Sequence, residues 1–297
     1  MRIVFIFICS LIVIACEKVI TRPLPPHQPA LVMHALLSPD REISLQLSQT
    51  ASLENEIPDD LSVANGTVHL YEDDVMLAQL IHLGDGVYKA SDPIFPEIGK
   101  SYRFSASAPD FATATSQAEV IPLTLEIQNP SFVDSSIANV NAGFSAGVFS
   151  ATLSEDPATE NFYGVDIEAF TAGGENLPTL KWAPDIDQEF GAICGLNSGA
   201  VDFSFTDDCL TIDPDQLATI RFAVQSAYQD INGTFPFDRI EVTLYHLSET
   251  YYQSLLNMVS LDGLELVFTY PPETFTNVNN GWGVVGSYTR TTYTFSL

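Results

Sequence analysis

Apolar and polar positions alternate along most of this chain. Ile43, Leu45 and Leu47 alternate with Ser44, Gln46 and Ser48, and Val68 and Leu70 alternate with Thr67, His69 and Tyr71. That is the period of two expected of strands with one buried and one wet face. Leu77 to Leu83 and Val87 to Ala90 flank Gly84-Asp85-Gly86, a hairpin signal because these residue types accept the positive φ angles of tight turns. Ser101 to Ala108 and Thr113 to Ile121 add further strands. About seven short strands separated by turns predict an immunoglobulin-like or transthyretin-like β-sandwich over 30–122, closed by Pro122.

The pattern continues at Leu123 to Gln128, Val148 to Leu153, Tyr163 to Phe170, Val201 to Phe205, Ile220 to Ala227 and Ile240 to Leu247, with longer loops rich in Gly, Pro and Asp. One segment differs. Ser248-Glu249 precedes Tyr252, Leu255, Leu256 and Val259, the spacing of one helical face behind an N-cap residue. Strands return at Val284 to Tyr288 and Thr291 to Phe295. Residues 123–297 are therefore predicted to form a second, larger β-sandwich-type domain carrying one helix, and the whole chain to be mainly β. No repeat of the kind that builds propellers or solenoids interrupts this reading.

The first residues follow another logic. Ile3 to Ile14 is an apolar run behind the single charge of Arg2, too short to span a bilayer comfortably and suited to the core of a secretory signal. Val13-Ile14-Ala15-Cys16 has the residue types of a bacterial lipobox, so 1–15 read as a lipoprotein signal peptide and Cys16 as the lipidated residue, the alternatives being an ordinary signal peptide with an incidental cysteine or an uncleaved anchor. Two or three acyl chains, at about 0.8 kcal/mol per buried methylene, hold a protein on a membrane. Residues 16–29 hold Pro23, Pro25 and Pro26, the composition of an extended spacer.

Charge narrows the partners. With 38 acidic residues against 11 lysines and arginines, the formal charge is −27, a field that repels nucleic acid. With Cys9 in the signal and Cys16 lipidated, Cys194 and Cys209 are left. In an oxidising envelope these are most simply one disulfide, contributing about 3 kcal/mol on the chain-entropy account. The rival is a Cys-based metal site, for which no CxxC occurs and His27, His34, His69, His82 and His246 are scattered.

Catalytic motifs are few. Gly143-Phe144-Ser145-Ala146-Gly147 spells a hydrolase nucleophile elbow, but that motif works at a strand-to-helix turn. No helical pattern follows it, and His246 is the one later histidine, so a Gly/Ser loop or turn is the simpler reading and no catalytic residues are expected. Asp185, Asp187 and Glu189 alternate, and Asp207, Asp208, Asp213 and Asp215 surround Cys209. These are weak calcium candidates against the alternative of solvated acidic loops. No other cofactor is expected.

Several stretches resemble a known family. Ala64-Asn65-Gly66-Thr67-Val68-His69-Leu70-Tyr71-Glu72-Asp73, then Gly86-Val87-Tyr88, then Gly99-Lys100-Ser101-Tyr102-Arg103-Phe104 are similar to the N-terminal pattern of the Bacteroidota lipoproteins known as DUF 4249. Pro271-Pro272 and the run from Asn277 to Tyr288 resemble that family's closing motif, with Asn280 in place of a first glycine and Val285 in place of an aromatic; Gly195 follows Cys194 where the family often has Trp. The resemblance implies an outer-membrane lipoprotein, on the cell surface rather than the periplasmic face, often encoded beside a TonB-dependent transporter. It implies an accessory or binding role in nutrient capture and brings no catalytic residues. The alternative is a stand-alone glycan- or peptide-binding lipoprotein or adhesin.

Asn280, Gly281 and Gly283 accept positive φ, so the chain can bend sharply around Trp282. Trp282 is then either part of the core at that bend or an exposed anchor for a partner, since Trp is enriched at interface hot spots. Trp182, between Lys181 and Ala183, faces the same choice.

Overall fold

Leu31, Met33, Ala35 and Leu37 are buried, and the residues between them are not. This alternation makes β1 (Leu31–Leu37) one side of a sandwich. The computed structural model describes residues 28–52, 58–134, 146–154, 159–182, 201–210, 213, 215, 217–226, 237–261 and 275–297. Within them β2 (Ser44–Gln49), β3 (Thr67–Glu72), β4 (Val75–Gly84), β5 (Val87–Lys89) and β6 (Ser101–Ser107) follow the alternating segments closely. The β4–β5 hairpin turns on Asp85 at φ 48° and Gly86 at φ 74°, the left-handed pair that Asp-Gly supplies. Where one strand was expected over 113–121, two short ones form, β7 (Ala114–Ser116) and β8 (Glu119–Val120).

The second half contributes β9 (Ile127–Asp134), β10 (Ala146–Ser154), β11 (Phe162–Phe170), β12 (Thr179–Trp182), β13 (Phe203–Thr206), β14 (Leu217–Ser226) and β15 (Arg239–Leu247). Helix α1 (Glu249–Leu261) comes next, then β16 (Val278–Asn279) and β17 (Gly281–Ser296). A single curled sheet of 13 strands runs β13-β11-β15-β17-β1-β2-β5-β4-β3-β6-β7-β16, with β8 on β6, and a separate four-stranded sheet runs β12-β14-β10-β9. The fold is mainly β and of β-sandwich type.

Two large cores result. In the first, the curl of the large sheet folds it over Leu31, Leu45, Val68, Phe104 and Tyr102, and residues 278 and 285 from the far end of the chain join them. In the second, the small sheet lays Phe149, Phe222 and Val224 on Val165, Ile167 and Val242 of the large one. Phe203 and Phe222 meet with ring centroids 5.3 Å apart, and Phe149 meets Phe295 edge-on at 5.9 Å.

The last strand ties the halves together. Its residues 281–287 pair in parallel with β1, and residues 288–296 pair antiparallel with β15. The sequence pattern ends one strand at Tyr288 and opens another at Thr291, but the strand runs on unbroken, with Thr289 and Arg290 paired to His246 and Tyr245 of β15.

Helix α1 starts where its cap predicts. Ser248 Oγ accepts the Tyr251 N–H at 3.2 Å, and Tyr252 and Leu255 bury the apolar face, with the Tyr252 ring 5.0 Å from that of Phe162. Beneath this helix start lies Glu119, 4% exposed. It accepts the Ser287 hydroxyl at 3.0 Å, and the Ser248 and Thr250 hydroxyls also donate to it. Burial still raises its pKa above the usual glutamate range. A raised carboxyl takes up a proton on folding, so its favourable contribution is complete below the unfolded pKa and is lost as pH rises through the folded one. The urea midpoint should therefore gain less on acidification from roughly pH 7 to pH 5 in Glu119→Gln than in the wild type; equal gains would show that Glu119 is not the titrating group.

Candidate functional site

The outer face of β1 forms the floor of a groove. Because β1 alternates, Val32, His34 and Leu36 point away from the core that Leu31, Met33 and Leu37 enter. Register extends this row across four strands: Val32 pairs with Trp282, His34 with Val284 and Leu36 with Gly286 on one side. On the other side His34 pairs with Gln46, and Gln46 with Val87. Tyr251, Ser254 and Met258, spaced three and four residues apart on α1, form a wall with Asn257 and Phe275. The cavity so enclosed has a volume of ≈ 500 Å³ and a mostly apolar lining, within the range of small-molecule sites.

Backbone geometry builds this wall. A Cβ on Gly286 would lie 2.9 Å from the Tyr251 Cβ, so the bare glycine lets the helix seat on the strand. Gly283 adopts φ +111°, and a Cβ there would lie 2.0 Å from the Met33 carbonyl oxygen. Asn277, 3% exposed, acts as a side-chain strand: its Nδ2 donates to the Val285 carbonyl at 2.8 Å and its Oδ1 accepts the Val285 N–H at 2.9 Å. Thr276 Oγ1 adds a bond to the Gly283 carbonyl at 2.9 Å. The edge of β17 is thereby clamped beside the groove.

The chain turns at Asn280, with φ 55°, and Trp282 follows on the strand itself. Trp282 is 44% exposed and lines the groove at the Val32 end. It thus stands at a sheet surface and outside the packed core. At the other end are Tyr251, whose burial pushes its phenol pKa up to about 12, and Arg41 on the β1–β2 loop. Desolvation by the groove walls lowers the His34 pKa below the ordinary histidine value, so at neutral pH the imidazole is uncharged.

Other residues singled out in the sequence lie elsewhere. Cys16, Cys194, Asp185, Asp187 and Glu189 fall outside the described residues, and Trp182 ends β12, paired with Ala223. Cys209 is buried at the end of a 3-10 turn, 3.9 Å from Thr206 Oγ1. Asp207 accepts the Asn161 N–H at 3.2 Å, and Asp213 accepts the N–H groups of Asp215 and Leu217 at 3.0 and 2.9 Å. Both act as turn-forming caps. Among the described residues no three His, Cys, Asp or Glu side chains are grouped to hold a metal. Of the GxSxG stretch, Ala146 and Gly147 open β10, so the motif leads into a strand and not a helix; His246 Nδ1 is 2.7 Å from the Leu123 carbonyl.

A polar cleft of ≈ 620 Å³ opens beside β11 and β12. It contains two carboxylates, Asp166 and Asp202, each held by hydrogen bonds. Asp166 accepts the Tyr245 hydroxyl and the Asp202 N–H, both at 2.9 Å, while Asp202 accepts the Ile167 N–H at 2.7 Å and Lys181 Nζ at 2.5 Å. Burial raises the Asp166 pKa. These bonds pin β11 to its neighbours.

One further surface stands out. On β4, Leu80 points into the core while Leu77, Ile81 and Leu83 face outward, 44%, 49% and 60% exposed, with Val75 and Met76 beside them at 71% and 57%. The outer face of β4 is therefore an apolar stripe open to solvent.

The profile of a family described as a domain of unknown function, DUF4249, matches residues 17–294. The chain belongs to that family. No curated protein matches it. In this DUF4249 protein, the closing motif that carried the resemblance is the strand that floors the groove: Gly281, Gly283 and Gly286 are glycines because backbone or helix atoms occupy the space of a side chain. Sequence reasoning singled out Trp282 but missed Val32, His34, Leu36 and Arg41. The available signal was the even-numbered row of β1, which holds two apolar residues on the face that alternation assigns to water.

Proposed function

We propose that this chain is a lipid-anchored accessory protein of the Bacteroidota outer membrane that works with a TonB-dependent transporter in nutrient capture or uptake. The exposed apolar stripe on β4 carries this reading. Large apolar side chains exposed together mark interaction surfaces, and these, interrupted by Gln79 alone in the outward row, sit on a strand of a well-packed sandwich, where they have no role in the core. The groove beneath α1 is the capture site, and the lipobox at Cys16 with the Pro-rich spacer behind it supplies the anchor. Cys194 and Cys209 are paired in a disulfide that braces the second sandwich. The function is binding and not catalysis.

Gentle-detergent purification of the C-terminally tagged chain from its native membranes tests this directly. A transporter barrel should co-purify near one-to-one. Recovery of the chain alone would overturn the partnership and leave an independent surface binder.

A further inference from the structure

The groove is mostly apolar and has a cation, Arg41, at one end. Its floor runs from Val32 and Trp282 to Leu36 and Gly286, four residue rises or about 13 Å. Met258, Phe275, Val284 and Trp282 give that length an apolar surface. Arg41 lines the Leu36 end; it is exposed and makes no ion pair among the described residues. Among the described residues no Asp or Glu lines the groove, although acidic residues outnumber lysines and arginines 38 to 11 in the chain. Among the described lining residues a cationic ligand would meet the like charge of Arg41. An anionic head would meet a guanidinium that favours carboxylate geometry.

On the reading that this groove is the capture site, we propose that its ligand is a free single-chain amphiphile with an apolar body and one carboxylate. The body lies along Val32, Val284 and Met258 against the Trp282 ring, and the carboxylate reaches Arg41. A volume of ≈ 500 Å³ holds one such chain and not a two-chain membrane lipid. Overall negative charge disfavours anionic ligands at long range, so selection rests on the local cation.

The test uses the full-length lipidated chain in lipid nanodiscs, freed of detergent and carrying Trp182→Phe so that Trp282 is the one tryptophan left in the chain, excited selectively over its 11 tyrosines. Octanoate and octyltrimethylammonium, with the same tail and opposite heads, are titrated against empty-disc controls, and dioctanoyl phosphatidylglycerol represents the two-chain source. Octanoate should change the Trp282 emission saturably, with an affinity at least tenfold above that of both other probes. Arg41→Gln, at an exposed loop position, should erase the advantage over the ammonium probe. Equal or tighter binding of the ammonium or two-chain probe, a change that does not saturate, or octanoate affinity unaltered by Arg41→Gln would each overturn the proposal. These outcomes do not touch co-purification of the transporter, so failure here and failure of the partnership are separable.

Discussion

Gly283→Ala should destabilise the protein by about 4 kcal/mol or more, enough to deplete the folded chain. Two costs combine at this position. The backbone sits at φ +111°, which L side chains rarely adopt, and the new methyl would lie 2.0 Å from the Met33 carbonyl oxygen on the paired strand. Strand β1 or β17 must then move, and the groove floor is lost with their register. Gly99→Ala is the control: φ there is +78° with nothing within 4 Å of an added Cβ, so only the left-handed backbone penalty of about 1 kcal/mol applies. Urea unfolding of the two variants should show this contrast. Similar midpoints would mean that the β1–β17 approach is not as close as described.

Asn277→Ala should cost about 3 kcal/mol. Its side chain makes both hydrogen bonds that a neighbouring strand would make to Val285, and truncation leaves a buried N–H and a buried C=O unpaired at the edge of β17. Asn277→Asp keeps the acceptor for the Val285 N–H but sets a carboxylate against the Val285 carbonyl, so it should not restore stability. A loss below about 1 kcal/mol in Asn277→Ala, measured by the same unfolding assay, would show that water replaces the amide at this edge.

Local signals made much of the fold legible. Ile43, Leu45 and Leu47 announce β2 because one of its faces is wet, Gly84-Asp85-Gly86 announces the hairpin, and Ser248 announces the helix. The parallel pairing of β1 with β17 left no such mark, since it joins the two ends of the chain and parallel partners share no turn. That pairing creates the groove, so the site stayed hidden although half of its floor lies in seven consecutive residues. Trp282 was open to two readings from sequence for a related reason. Whether an aromatic near a Gly-rich turn enters the core depends on which face of β17 it occupies, and the face is set by the register with Val32. The β4 stripe was legible as apolar residues but not as exposed ones. Gln79 is the single polar residue of the outward row from Leu77 to Leu83, and the burial of Leu80 fixes which row is outside.

The claim at the centre of this account is that the apolar stripe on β4 docks a TonB-dependent transporter. The most direct measurement compares co-purification by the wild-type chain and by Leu77→Glu/Ile81→Glu, which alters two outward-facing residues and leaves Leu80 and the core untouched. The wild type should recover the barrel near one-to-one. The variant should keep the wild-type melting temperature within a few degrees, roughly the span expected of surface substitutions, and recover at least tenfold less barrel. Equal barrel recovery by a folded variant, or no barrel with the wild type, would contradict it.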